Sequence, residues 1–173
     1  AELAHLTEWD LQRPYPHLRE RLAAHRLACY AADLCHALIA TDDPHPAAFA
    51  ALCDLLGGLT EPTHDAAELL RFQWRLLADV GYQPELSIDV QTGAPLADAG
   101  AFTFDTQRGG LTRDAGQGFS RHRVRKETVL LLRRLTQSPE LLDDVPDLMT
   151  AAPPDTLGRA NRLLCTYLRA LLD

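Results

Sequence analysis

Along the first half of the chain the apolar positions recur every three to five residues, a period that predicts helices. The stretch HLRERLAAHRLACYAADLCHALIA spaces Leu18, Leu22, Leu27, Ala31, Leu34 and Leu38 in this way, and it stops at DDPHP, where Pro44 and Pro46 forbid continuation. A second helix, PAAFAALCDLLGG, sets Phe49, Cys53 and Leu56 on one side and ends at Gly57 and Gly58; the two helices are expected to pack as an antiparallel hairpin. A third, DAAELLRFQWRLLADVG, has Thr63 or Asp65 as its cap and a polar stripe of Asp65, Glu68, Arg71, Arg75 and Asp79. Leu69, Leu70, Phe72, Leu76, Leu77 and Val80 cover the rest of it, and so wide an apolar surface predicts the central helix of a bundle. Gly81 is its expected stop, and Pro84 prevents a restart.

From residue 86 to 114 the period changes to two. LSIDVQ, AFTFD and GGLTR are short β-prone pieces separated by turn residues, which predicts a small antiparallel ribbon of two to four strands. Helical spacing returns in FSRHRVRKETVLLLRRLTQ, basic in its first half and apolar in its second, and a short helix is expected after the Ser138-Pro139 pair. The last helix, TLGRANRLLCTYLRALLD, turns Leu157, Leu164, Leu168 and Leu171 to the core and leaves Arg159, Arg162 and Arg169 elsewhere. The pattern predicts a mainly α fold, a helical bundle interrupted once by a β ribbon, in one domain over residues 1–173.

Composition narrows the function. With 24 acidic and 17 basic residues the formal charge is −7, which repels phosphate backbones at long range and disfavours strong autonomous nucleic-acid binding. Lys126 is the one lysine among those basic residues; the others are arginines, suited to planar, bidentate contacts. Cys29, Cys35, Cys53 and Cys165 form no CxxC pair and sit in apolar helical contexts, which predicts reduced core thiols and a cytoplasmic chain. No apolar run approaches the roughly 20 residues that span a bilayer, so no membrane partner is expected.

Enzymatic chemistry has little to work with. The seven histidines are scattered without an HExxH pair, and no GxSxG, Walker loop or dinucleotide fingerprint occurs, so no catalytic residue and no cofactor is expected. The clearest charge feature is Arg121, His122, Arg123, Arg125 and Lys126, with Arg133 and Arg134 following on what the period makes the same helix. Arg121 and Arg125, one turn apart, could grip an acidic peptide or adjacent phosphates. An apolar groove between leucine-rich helices is the other candidate site: Phe72, Trp74 and Leu77 would line it, Trp74 being nearest the polar stripe and partly exposed, with Arg71 or Arg75 meeting a carboxylate.

The string LLRFQWRLLADVGYQPEL, residues 69 to 86, resembles the hallmark of the bacterial recombination mediator family RecO. Arg71, Phe72, Gln73, Trp74, Leu76, Leu77, Gly81, Tyr82 and Pro84 stand in the family's pattern of arginine, phenylalanine, acidic residue, leucines and a glycine-tyrosine-x-proline turn, with Gln73 in the acidic place. In the family that turn leads to a cysteine knuckle, an FxF-like strand, a double glycine and a second cysteine pair. Here the corresponding positions are Asp89, Thr92, Arg113 and Gly116, and a donor set without sulfur or imidazole does not suit zinc, so a metal-free ribbon over residues 86–116 is expected.

The resemblance implies a non-enzymatic role in DNA repair. RecO-like proteins anneal complementary single strands and, with the partner RecR, help the recombinase replace single-strand-binding protein; their helical domain receives that protein's acidic C-terminal tail. On this chain the resemblance implies a pocket of Phe72, Trp74 and Tyr82 rimmed by Arg71, Arg75, Arg121, Arg125 and Lys126. DNA contact would come mainly from an N-terminal oligonucleotide-binding barrel, which this chain is expected to lack, with weak contact along residues 121–134, including Arg123, Arg133 and Arg134. The rival reading is a helical protein-interaction module with no DNA role. A continuous positive strip along 121–134 favours the first; burial of Trp74 and pairing of those arginines with internal carboxylates favours the second.

Overall fold

A computed structural model describes residues 8, 10–96, 101–113 and 120–173. These residues form six helices, α1 (Leu22–Leu38), α2 (Pro46–Gly58), α3 (Asp65–Asp79), α4 (Lys126–Gln137), α5 (Val145–Ala151) and α6 (Pro154–Leu172). Three strands, β1 (Ala101–Asp105), β2 (Gly110–Thr112) and β3 (Arg121–Arg125), lie between α3 and α4. The predicted class holds: a helical bundle with a small antiparallel sheet in the order β2-β1-β3.

Helix α3 is the centre of the bundle, as its apolar surface predicts, and it packs against α2, α6, α1 and α5. Phe72, Trp74, Leu76 and Leu77 are at most 1% exposed. Trp74 is therefore core rather than the partly exposed side chain predicted from its place beside the polar stripe. Gly81 ends the helix region in a left-handed conformation (φ 78°), and Tyr82 donates its N–H back to Leu77, closing the last turn. Neither Thr63 nor Asp65 caps α3; the cap position is His64, and the Asp65 carboxylate instead takes Arg21 at 2.7 Å.

Other faces differ from the periodicity. Helix α1 begins at Leu22 after a 3-10 turn at Pro16–Arg19, and it buries Ala24, Ala28, Ala31 and Leu34 while Leu22 is exposed. Helix α2 buries Ala48, Ala51 and Leu55, leaving Phe49 69% exposed. Its main neighbour is α3 rather than α1, because an alanine face permits close approach to α3. The cysteines are free, Cys29 exposed and the other three half-buried, so they are boundary rather than core thiols. Ser138 and Pro139 start a 3-10 turn, not a helix.

Within the sheet Phe104 is fully buried and packs edge-on against Tyr167 of α6, with ring centroids 5.5 Å apart, which seats the ribbon on the bundle. LSIDVQ forms no strand. The preceding Glu85 bridges Gly110 of β2, Ile88 bridges Pro95, and the Val90 N–H reaches the Leu111 carbonyl at 2.9 Å. The double glycine has a steric reason: a Cβ on Gly110 would stand 2.4 Å from Val90 Cγ1 and 2.6 Å from the Glu85 carbonyl oxygen. The neighbouring Gly109 has φ 65°, where other residues are strained.

Candidate functional site

The basic run lies on a strand, not a helix. Residues 121–125 pair antiparallel with β1, and α4 starts only at Lys126. Alternation therefore replaces the helical spacing: Arg121, Arg123 and Arg125 share one face, with His122 and Val124 on the other. Arg121 and Arg125 stand roughly 13 Å apart along an extended chain instead of one helical turn, so together they suit an extended ligand. The β-branched Val124, opposite Phe102, buries the inner face, and that fixes the register.

The arginines of this region have divided duties. Arg121 approaches the buried Asp105 carboxylate at 3.8 Å. Arg133 donates to the Leu86 carbonyl at 2.8 Å and stacks over Phe102 at 5.4 Å, so it ties the ribbon to α4. By contrast Arg123 and Arg125 are exposed, and neither has a carboxylate within 4.0 Å among the described residues. Arg134 is exposed on α4.

Helix α6 adds cations that the sequence left unassigned. Arg159 and Arg162 line, with His122, Arg123 and Arg125, one cavity of about 250 Å³ between β3 and α6. Arg159 is held in place by Asp155 at 2.8 Å and by the Thr156 hydroxyl at 2.8 Å. Arg162 is exposed and makes no ion pair among the described residues. In the same wall Thr128, 1% exposed, has a hydroxyl without a hydrogen-bond partner among the described residues. A buried polar group left unpaired costs free energy, so an oxygen-rich ligand entering here would satisfy a group that the fold does not. Only the spacing of three and seven residues between Arg159, Arg162 and Arg169 on α6 hinted at this half of the site, and nothing in one sequence says that α6 lies beside β3.

The cations proposed on α3 are engaged. Arg71 donates to Glu68 at 2.9 Å and to the Leu142 carbonyl at 2.7 Å. Arg75 is held by Asp54 at 2.9 Å, Asp143 at 2.8 Å and the Leu142 carbonyl at 2.8 Å. Both arginines thus fasten α3 to the segment before α5. Phe72 is core, and Tyr82, 48% exposed, presents its carbonyl to the Tyr167 hydroxyl at 3.1 Å. The structure therefore does not assemble Arg71, Phe72, Trp74, Arg75 and Tyr82 into an open arginine-rimmed pocket. Glu68, buried beside Arg71, has its carboxyl pushed up by desolvation, with Arg71 acting against that shift.

The knuckle positions do not fit a metal. Asp89 is 2% exposed, and its carboxylate accepts the N–H groups of Gln91 (2.8 Å), Thr92 (3.1 Å) and Arg113 (2.7 Å) and the Thr112 hydroxyl (3.3 Å). The Arg113 N–H bond, ahead of the other donors, holds its pKa down at about 2. Thr92 accepts the Ala94 N–H, and the Arg113 side chain donates to the Pro95 carbonyl; Gly116 lies outside the described residues. No group of three or more metal-binding side chains gathers among the described residues.

Residues 19–173 match the family model for the recombination protein O C-terminal region. The chain belongs to this RecO family. It is similar to the DNA repair protein RecO of Methylobacterium nodulans, 39% identical over 79 residues, covering 43% of this chain and 31% of that protein. It is also similar to the DNA repair protein RecO of Nitrosospira multiformis, 30% identical over 87 residues, covering 50% of this chain and 36% of that protein. The match thus spans about a third of each relative. No solved structure matches. Among the described residues no helix is long and apolar enough to cross a membrane.

Proposed function

We propose that this RecO-family chain is a non-catalytic scaffold in DNA repair, a component of a recombination mediator that works through RecR and single-strand-binding protein. In this reading it receives the acidic tail of single-strand-binding protein on the face shared by β3 and α6. The observation that carries the assignment is the cavity lined by Arg123, Arg125, Arg159 and Arg162, of which Arg123, Arg125 and Arg162 are free of carboxylate partners among the described residues. Arginine forks meeting carboxylates in a recessed site form charge-assisted, often bidentate bonds, stronger than neutral ones. The groove beside α3 is the poorer place for an acidic peptide, since its Arg75 is already neutralised by Asp54 and Asp143. Single-stranded DNA would meet the same β3 arginines more weakly, against the overall charge of −7. RecR contact, annealing and recombinase loading are further parts of the reading and rest on family membership.

The test is a fluorescence-anisotropy titration of a peptide copying that acidic tail against wild type, Arg125→Ala, Arg162→Ala and Arg75→Ala. Tenfold or greater weakening in the first two variants, with Arg75→Ala close to wild type, is the expected result. Loss confined to Arg75→Ala would move the site to α3, and no binding by folded wild type would overturn the tail assignment.

A further inference from the structure

The two edges of the small sheet are treated differently. Its order puts β2 at one edge and β3 at the other. Outside β2 the Leu111 N–H donates to the Glu85 carbonyl and the Leu111 carbonyl accepts the Val90 N–H, both at 2.9 Å, so the segment after α3 covers that edge. Among the described residues no strand lies outside β3.

The register decides which backbone groups of β3 face outward. Thr106 donates its N–H to the Ser120 carbonyl at 2.8 Å, and this pair continues the β1–β3 register, so Ser120, His122 and Val124 turn their backbone groups to β1. Arg121, Arg123 and Arg125 turn theirs away. The Arg125 carbonyl belongs to the first turn of α4, for which Arg125 is the N-cap. The N–H and carbonyl of Arg123 and the N–H of Arg125 remain, without a partner among the described residues. The cavity beside α6 follows this edge: four consecutive residues, His122 to Arg125, line it, so it runs along the backbone instead of over one face of the strand.

We infer that the outer edge of β3 is a docking site for an extended acidic peptide, which adds to the sheet as a further strand. An open row of N–H and carbonyl groups is matched by another extended chain, whereas a helix spends its own groups internally. The side chains set the sign of the partner. Arg123 and Arg125 are exposed without an ion pair among the described residues, and the exposed Arg162 lines the same cavity from α6. The one carboxylate among the described residues lining this cavity or the neighbouring opening is Glu127, and it pairs with neither arginine. A second copy of β3 laid antiparallel about Arg123 would put arginine opposite arginine, which destabilises a strand pair; alternating acidic residues relieve it. The buried, unpartnered Thr128 hydroxyl in the cavity wall offers one more donor to a peptide carbonyl. The inference rests on the proposed meeting of an acidic peptide with this face, and adds that the peptide is read through its backbone as well as its charge.

The probe is a labelled seven-residue peptide alternating glutamate and threonine, with a lysine and threonine counterpart, titrated against the whole chain. The glutamate peptide should bind at least tenfold more tightly. N-methylation of one of two adjacent central amides should weaken it at least tenfold, and of the other less than twofold, because only every second amide faces β3. Arg123→Pro removes the outward N–H and leaves the bonds to β1, a change that edge strands tolerate, and it should weaken binding at least fivefold beyond Arg123→Ala. Hydrogen exchange reads the same period in the chain itself: the Arg123 and Arg125 amides should exchange fast when free and slow on binding, with His122 and Val124 slow throughout. Should the circular dichroism of Arg123→Pro depart from wild type, the N-methylated peptides and the exchange decide. Binding of this probe with those periodic effects, but none of the tail peptide, would uphold the edge site and remove the tail assignment. Binding of both peptides without any period of two under N-methylation would overturn the edge site alone. An Arg123 amide already protected in the free chain, or no binding of the glutamate peptide to folded wild type, would overturn it as well.

Discussion

The carboxylate of Asp89 accepts the backbone N–H of Arg113 at 2.7 Å, across 24 residues of chain. One side chain thereby joins two turns of the ribbon, since its other oxygen, Oδ1, holds the N–H groups of Gln91 and Thr92. Backbone N–H groups pointing at a carboxylate are individually modest, but together they fix the turn and favour the ionised form. Asp89→Ala should lower the melting temperature and speed hydrogen exchange at the Arg113 amide. A chelator should leave the melting temperature of the wild type unchanged, and a shift of several degrees would contradict the carboxylate clasp.

Acid should loosen that clasp in a defined window. The folded pKa of Asp89, about 2, lies below its ordinary value of 3.8, so its contribution is fully present above the ordinary value. It falls away as pH drops from there through about 2. Asp89→Asn should flatten the loss of thermal stability between pH 4 and pH 2 relative to wild type. Parallel acid limbs for the two proteins would show that Asp89 is not the titrating group.

His45 works in the opposite direction. Its Nδ1 lies 2.9 Å from Asp79, which also accepts the Ala48 N–H at the start of α2, and the Asp79 bond raises its pKa. A histidine whose folded pKa is raised gives stability that is complete below its unfolded value, about 6.5, and is lost as pH rises through the folded value. The melting temperature should therefore decline from pH 6 to pH 8, and His45→Gln should reduce that slope. An unchanged slope in the variant would assign the decline to other groups.

Gly110→Ala should destabilise the chain by about 1–3 kcal/mol, the usual cost of overpacking, because the Glu85 carbonyl is backbone and cannot step aside. Urea unfolding measures it. An unchanged midpoint would mean that the ribbon gives way at no cost.

Arg71→Ala tests whether α3 arginines are structural. Losing the bonds to Glu68 and the Leu142 carbonyl should cost about 1.5–3 kcal/mol, the range for hydrogen bonds involving charged groups. Tail-peptide affinity should stay within twofold of wild type once folding is confirmed. Intact stability with lost affinity would return Arg71 to the binding site.

How far the chain reveals itself follows from what each signal measures. The period of apolar residues located α3, its stop at Gly81 and the change to a ribbon after Leu86, because those depend on local spacing and backbone freedom. It misassigned the buried faces of α1 and α2, where alanine supplies the contact and Phe49 and Leu22 are left outside. The spacing of residues 121–125 predicts helix because their arginines join smoothly to the helical run after Lys126; pairing with β1, a non-local interaction, makes them a strand. The family resemblance was legible in residues 69–86, but the place of Arg159 and Arg162 beside β3 depends on tertiary packing. The two criteria set by the sequence also divide. Trp74 is buried and Arg121 faces an internal carboxylate, yet Arg123 and Arg125 stay open beside α6.

The central claim is that anionic partners meet the face between β3 and α6. Amide chemical-shift mapping of the ¹⁵N-labelled chain during titration with the acidic tail peptide tests it most directly. The account predicts shifts concentrated at residues 122–128 and 159–166, with those at 135–143 nearly still. Shifts concentrated along 135–143 and around Arg75, with β3 and α6 unmoved, would contradict it.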